Sequence, residues 1–166
     1  MNHPPFDIRV GLGHDTHRTI PSRPLVLGGV VISDADFGLD GHSDADVLLH
    51  ALTDALLGAA AMGDIGERFP NTDSRWKGAD SAELLKSVLT AVQEQRWRIL
   101  NVDCTIHAER PKLMMWKPVI RSRLCELLGL PPDRVNVKAK TGESVGPVGR
   151  GESISADAIV MLLRET

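Results

Sequence analysis

The chain has 166 residues, of which 42% are apolar and 25% charged, and its formal net charge is -3. That length fits one domain, which can bury roughly 70% of the surface its unfolded chain exposes without a disulfide or metal staple. The acidic balance argues against a nucleic-acid binder, which carries a basic face, but not against a phosphorylated small molecule, because a bound metal can supply local positive charge.

In chain order, Ile8–Leu12 reads as a short strand that ends in a loop carrying GHDTHR. Leu25–Ile32 is a second β-rich run, broken by Gly28 and Gly29 at a bulge or tight bend. Asp34–Gly41 is turn-rich and acidic. Ser43 then opens a helix, with Asp46 at the reciprocal position of a capping box. This helix runs from Val47 to Met62 and closes at Gly63. It is apolar nearly all round, which predicts burial on most faces. DIGERFPNTD is a loop, and Ser81–Gln95 is an amphipathic helix with Leu84, Leu85, Val88, Leu89 and Val92 on one face. Ile99–His107 is a strand with Val102 and Ile106 pointing inward. Pro111 and Lys112 open a turn, and Trp116–Leu128 is a helix ended by Gly129. Val135–Lys140 is a strand, TGESVGPVGRG a glycine-rich loop, and Ile154 to Leu163 the last strand. Strands and helices interleave, so the expected fold is α+β, a single domain over 1–166 with a mixed sheet layered by helices.

Tyr is absent and aromatics make up only 4% of the chain, so the core has to be built from Leu, Val, Ile and Ala. Cys104 and Cys125 lack metal-type spacing and read as thiols of a reducing compartment. The N-terminal MNHPPFDIRV has no signal-peptide pattern, and the longest apolar run, near Ala55–Met62, is far short of the ~20 residues that cross a bilayer. The expected location is the cytoplasm, with neither nucleic acid nor membrane as partner.

The chemistry-bearing residues fall into four groups. Asp15 and His17 are two apart, which in extended backbone puts both side chains on one side, and a carboxylate with an imidazole suits Zn²⁺. His50 lies in the apolar helix, as a satisfied core residue or as the third ligand. Three protein ligands leave the open fourth position of a catalytic zinc site. Asp54 follows one turn later and reaches either a ring nitrogen of His50 or a neighbouring ligand, unless backbone or water holds it. His42, Ser43, Asp44 and Asp46 crowd the start of the same helix, whose free N–H groups and dipole favour a phosphate. There Ser43 caps the helix, binds phosphate or does both, while the two carboxylates read as capping electrostatics. Asp64 and Gly66 follow the helix, in substrate contact or in turn chemistry. Lys138, Lys140, Thr141 and Glu143, with glycines 142, 146, 149 and 151, suit a phosphate–metal pair such as Mg²⁺ with a diphosphate, or form a flexible hairpin.

The segment HSDADVLLHALTDALLGAAAMGDIGERFPNTD, from His42 to Asp73, together with GHDTHR, KGADS, NVDCTIHAERPKL, VNVKAKTGE and GRGE in that order, resembles the 2-C-methyl-D-erythritol 2,4-cyclodiphosphate synthase family. The resemblance covers essentially the whole chain from Ile8. It implies a homotrimer with active sites between adjacent subunits, and conversion of 4-diphosphocytidyl-2-C-methyl-D-erythritol 2-phosphate to the cyclic diphosphate and CMP. By position, it implies Asp15, His17 and His50 as zinc ligands and Glu143 as ligand of a second divalent ion, Mg²⁺ or Mn²⁺. It implies that His42 and Thr141 assist the transition state, that Ser43 contacts a substrate phosphate, and that Asp64, Ile65 and Gly66 form the methylerythritol pocket. Phe69 and Asp73 fall in another substrate-contact loop. Ala108, Pro111, Lys112 and Leu113 match the wall of a cytidine pocket, next to Lys140. Arg150 matches a residue near the three-fold axis, where family members can hold an isoprenoid diphosphate. The chain departs from the family pattern at His14 (commonly Phe or Tyr), Asn71 (frequently Asp), KTGE (commonly TTTE) and Pro147 (frequently Phe). Two other readings of the same residues are a zinc-dependent phosphoesterase and a non-catalytic trimer that binds isoprenoid diphosphates.

Overall fold

The computed structural model describes residues 6–165. A sheet of five strands runs in the order β4-β1-β7-β5-β6: β1 is Phe6–Pro21, β4 Phe37–Leu39, β5 Arg98–His107, β6 Val135–Lys140 and β7 Ser153–Glu165. β5 and β6 are parallel and the other pairs antiparallel, so the sheet is mixed as expected. A two-residue hairpin pairs β2 (Val26–Leu27) with β3 (Val30–Val31). Its tip is Gly28 and Gly29, both at positive φ, which the tight bend requires.

The helices are α1 (Val47–Ala60), α2 (Ile65–Arg68), α3 (Ser81–Glu94), α4 (Lys117–Leu128) and α5 (Gly146–Gly149). The three long ones form a layer on one face of the sheet. α4 is the crossover that lets β5 and β6 run parallel. Eleven of the fourteen residues of α1 are buried, as its all-round apolarity predicts.

β1 is much longer than the short strand expected at Ile8–Leu12. GHDTHR is strand rather than loop, held along its length by β7, with Asp15 opposite Ala156 and His17 opposite Ile154. Its apolar side chains also face the unexpected way. Ile8, Val10 and Leu12 lie 48%, 61% and 68% exposed, while Gly11 and Gly13 face α1. A Cβ at Gly11 would sit 1.9 Å from the Ala55 carbonyl oxygen, and one at Gly13 would sit 1.9 Å from that of Ala51. Those glycines let α1 lie directly on β1. Two strand residues advance about 6.6 Å and four helix residues about 6 Å, so the two elements stay in step. The next facing pair after Gly13 brings Asp15 to the first turn of α1, where His50 stands.

The helix start also differs from expectation. Asp46, not Ser43, is the N-cap: its carboxylate accepts from the Leu48 and Leu49 N–H groups and from Gly28 and Gly29 of the hairpin tip. It therefore ties α1 to the hairpin. The helix ends at Ala61, in the left-handed region, two residues before Gly63. Asp34–Gly41 contains the short edge strand β4, and DIGERFPNTD contains α2, capped by Asp64. Among the described residues no helix is long and apolar enough to cross a membrane.

Candidate metal centre and active-site cavities

The period of two along β1 turns Asp15 and His17 toward α1, and the glycine-set approach of the helix supplies His50. Asp15 Oδ2 lies 2.9 Å from His17 Nε2 and 2.9 Å from His50 Nδ1, and the two ring nitrogens are 3.1 Å apart. The remaining ring nitrogens settle the tautomers. His17 Nδ1 donates to the Asp40 carbonyl at 2.6 Å, so Nε2 carries a lone pair. His50 Nε2 lies 2.9 Å from Ser81 Oγ and 3.0 Å from Ser43 Oγ, which leaves Nδ1 for the centre. Three lone pairs thus converge, an arrangement that calls for a cation. Tetrahedral zinc with bonds of 2.0–2.1 Å places its ligand atoms about 3.3 Å apart, close to what is observed. Among the described residues, this is the one group of His, Cys, Asp or Glu whose ligand atoms lie together in this way.

Burial opposes ionisation of Asp15, but hydrogen bonds and charge from His17 and His50 outweigh it and hold its carboxyl well below the usual carboxylate range. Burial pushes the His17 pKa down, but Asp15 and the Asp40 carbonyl outweigh it and raise the value above 6.5.

Asp54 is not behind His50. It accepts from the Ile65 N–H at 2.7 Å and so holds the start of α2 against α1, the backbone alternative of the two open readings. Ser81, which sits behind His50 beside Ser43 and donates to Asp44, carries no role in the sequence reading, where Asp44 has only that of capping electrostatics. Both lie in quoted motifs, but a serine ahead of a helix signals capping before anything else.

Beside the centre is a cavity of about 320 Å³ lined by His17, His42, Ser43 and His50 on one side and Ile65, Gly66, Phe69, Asn71 and Trp76 on the other. Phe69 and Trp76 meet edge to face at 5.0 Å. Asp64 and Asp73 are not in its lining. Asp64 caps α2 through the Glu67 N–H, and Asp73 is gripped by Arg75 at 2.6–3.1 Å.

A second cavity, of about 340 Å³, gathers Ala108, Pro111, Lys112, Leu113, Lys140 and Thr141, together with Met114, Lys117 and Ala139. It shares no residue with the first. Its position follows from the sheet: Thr16 pairs with Ser155, Ser155 with His107 and His107 with Lys140, so β1 and β6 stand three spacings, or about 14 Å, apart. Thr141 Oγ1 donates to Glu143 at 3.0 Å, and Glu143 stays apart from the three-ligand group. Gly142 has a steric reason: a Cβ there would lie 2.4 Å from the Gly149 nitrogen. Arg150 pairs with Glu152 at 2.8 Å.

The YgbB family matches residues 8–163. The chain belongs to that family. A relative named 2-C-methyl-D-erythritol 2,4-cyclodiphosphate synthase from Laribacter hongkongensis is 56% identical over 157 residues, 95% of this chain and 96% of that protein. Among solved structures, the bifunctional IspDF from Campylobacter jejuni superposes with a TM-score of 0.92 at 44% identity, covering 97% of this chain but 43% of that longer one. A CDP-bound form of 2C-methyl-D-erythritol-2,4-cyclodiphosphate synthase gives a TM-score of 0.86 at 38% identity, covering 93% of this chain and 99% of that one. The YgbB match thus spans both cavities and every ligand of the candidate centre.

Proposed function

We propose that the chain converts 4-diphosphocytidyl-2-C-methyl-D-erythritol 2-phosphate to 2-C-methyl-D-erythritol 2,4-cyclodiphosphate and CMP, a lyase reaction of non-mevalonate isoprenoid biosynthesis. The observation that carries it is the lone-pair convergence of Asp15, His17 and His50 beside a cavity, in a chain that matches proteins of that name along almost its full length.

In this reaction the 2-phosphate oxygen attacks the β-phosphorus and CMP leaves. The nucleophile is already an anion near neutral pH, so no strong base is needed. The obstacles are repulsion between anions and the entropy of closing an eight-membered ring. Asp15, His17 and His50 would hold Zn²⁺, and Glu143 a second Mg²⁺ or Mn²⁺. Bound there, the ions would offset phosphate charge and polarise phosphorus.

The chain's own residues do the rest. Ile65, Gly66 and Phe69 hold the methylerythritol end in the first cavity, and Asp64 and Asp73 would join them only by turning from the Glu67 N–H and from Arg75. Ala108, Pro111, Lys112, Leu113 and Lys140 hold the nucleotide end in the second. Fixing both ends keeps attacking and leaving oxygens in line, which can supply up to ~7–11 kcal/mol in favourable intramolecular cases. His42, Ser43 and Thr141 donate toward the phosphate oxygens as charge develops.

The two cavities lie apart within one chain and would make one active site where neighbouring copies share it, in the homotrimer that the family resemblance implies. The open sheet face supports this. Leu12 lies opposite Ile159, Val10 opposite Met161 and Ile8 opposite Leu163, a continuous apolar strip of the kind that marks an interface. Arg150 would then stand near the three-fold axis, available to an isoprenoid diphosphate. The free thiols of Cys104 and Cys125 suit the cytoplasm.

Incubation with the diphosphocytidyl substrate, followed by phosphorus NMR, tests the assignment. A cyclic diphosphate with stoichiometric CMP is expected. A linear phosphate product would point to a phosphoesterase instead, and tight ligand binding with no CMP release would point to a non-catalytic binder.

A further inference from the structure

We propose that Ser81, held by Asp44, is the positioning residue that fixes the His50 tautomer and thereby sets how tightly the Asp15–His17–His50 centre binds a divalent metal. The inference deepens the metal-site reading above and rests on it.

The protons around Asp44 and Ser81 decide the tautomer. The Asp44 carboxylate accepts only, and it takes the Ser81 N–H at 3.2 Å on one oxygen and both the Asp46 N–H, at 3.2 Å, and the Ser81 hydroxyl on the other. The Ser81 hydroxyl has therefore spent its proton on Asp44. What Ser81 Oγ turns toward His50 Nε2, 2.9 Å away, is a lone pair. His50 Nε2 must then carry the hydrogen, and Nδ1 must be bare toward Asp15 and His17. The chain Asp44–Ser81–His50 thus orients the imidazole and makes Nδ1 more electron-rich, as a carboxylate behind a metal-bound histidine does.

Burial makes this arrangement costly to rearrange. Ser81 is 1% exposed and Ser43 7%, so water cannot readily replace Ser81 Oγ behind the ring. The backbone fixes the partners as well. Ser81 is the first residue of α3, whose N-cap is Asp80, so its hydroxyl is not needed to cap that helix. The Asp44 N–H donates to the Ala79 carbonyl at 3.1 Å, which keeps the two loops in register.

The same proton count separates the two serines. Ser43 Oγ accepts from the Ala45 N–H at 3.1 Å and lies 3.0 Å from His50 Nε2 and 3.4 Å from Ser81 Oγ, but no carboxylate takes its proton. Ser43 lines the first cavity, and its hydroxyl can turn its proton either to Ser81 Oγ or to a ligand there. Ser81 serves the metal centre and Ser43 the ligand.

The test is Zn²⁺ affinity, measured by chelator competition on the full-length wild type and on Ser81→Ala, Ser81→Thr, Asp44→Asn and His50→Ala. Loss of an outer hydrogen-bond partner of this kind weakens metal binding about 10–100-fold. That loss is expected for Ser81→Ala, with a smaller loss for Asp44→Asn and recovery for Ser81→Thr. The metal-free melting temperature of Ser81→Ala should fall by no more than the several degrees that one lost buried hydroxyl explains, and the visible band of its Co²⁺ form should shift. Equal Zn²⁺ affinity in wild type and Ser81→Ala, with His50→Ala unable to bind, would overturn the role of Ser81 alone. No Zn²⁺ binding by the wild type would overturn both this inference and the metal-site reading beneath it.

Discussion

The two cavities are of similar size but are built in opposite ways. The metal-side cavity is made by the core: its ligands stand on β1 and α1, the Gly11 and Gly13 contacts set their separation, and every ring nitrogen has a partner. The second cavity is made at the edge, from the ends of β5 and β6 and the turn that leads to α4, with three lysines that have long, mobile stems. A site that must hold a small, highly charged ion needs pre-set geometry. A site for a nucleotide can rely on adaptable charge. The first cavity is complete within one chain as a metal centre. The second shares no residue with it.

Four perturbations probe that contrast. His50→Ala should abolish metal binding and nearly all turnover, because it removes a ligand and opens a hole in a packed helix. Metal analysis of the purified variant, together with CMP release, checks this, and full activity without bound metal would sink the ligand assignment.

Gly13→Ala should be the most damaging methyl that can be added anywhere near the centre. Its Cβ would lie 1.9 Å from backbone oxygen, and a shift of α1 away from β1 is the only relief. Overpacking of this kind costs about 1–3 kcal/mol or more, enough to lower the melting temperature by several degrees. Metal affinity should fall with it, since the strand–helix distance is also the ligand separation. An unchanged melting curve would mean that the close contact is not needed.

Glu143→Gln should raise the Mg²⁺ or Mn²⁺ concentration needed for turnover while zinc stays bound. An unchanged divalent-ion titration would remove Glu143 from the second metal.

The smallest effect is expected at Asp46. Burial pushes its carboxyl up to about 6, against the N–H groups of Gly29, Gly28 and Leu49 that favour the ionised form. Between its ordinary 3.8 and that value the folded chain binds the extra proton, so this group's contribution to stability falls as pH rises through the window. In Asp46→Asn that decline should flatten, which urea midpoints between pH 4 and 7 would record. An identical slope would contradict the shift.

Much of this was legible in the sequence, for identifiable reasons. α1, α3, α4 and β6 carry strong periodicity and end signals, and all appear within a few residues of their predicted bounds. Asp15 and His17 announced themselves by their spacing, and His50 by being the odd residue in an apolar helix. β1 was cut short because its pattern is inverted: glycines face the core, apolar residues face out, and the polar DTHR tail looks like a loop. Asp46 caps α1 through the nearby Leu48 and Leu49 amides, but its tie to Gly28 and Gly29, eighteen and seventeen residues upstream, is one that local rules do not see. Asp54 offered two plausible partners on paper, and only the fold of α2 chose the Ile65 amide. Ser81 was invisible as a partner of His50, thirty-one residues away, because nothing in KGADS speaks of a second helix. Of the second cavity, Lys140 and Thr141 were legible in the residues as part of a phosphate–metal loop, whereas Ala108, Pro111, Lys112 and Leu113 were legible only through family resemblance, since they follow no spacing rule of their own.

The central claim is that the two cavities are halves of one active site supplied by different copies of the chain. Co-expression of His50→Ala with Lys112→Glu tests it directly, each chain carrying one intact half. Random assembly then places two intact halves together at about a quarter of the shared sites. The account predicts cyclic diphosphate formation near a quarter of the wild-type rate, although each variant alone is inactive. Mixed assemblies with no recovered activity would contradict it and would require a complete site within a single chain.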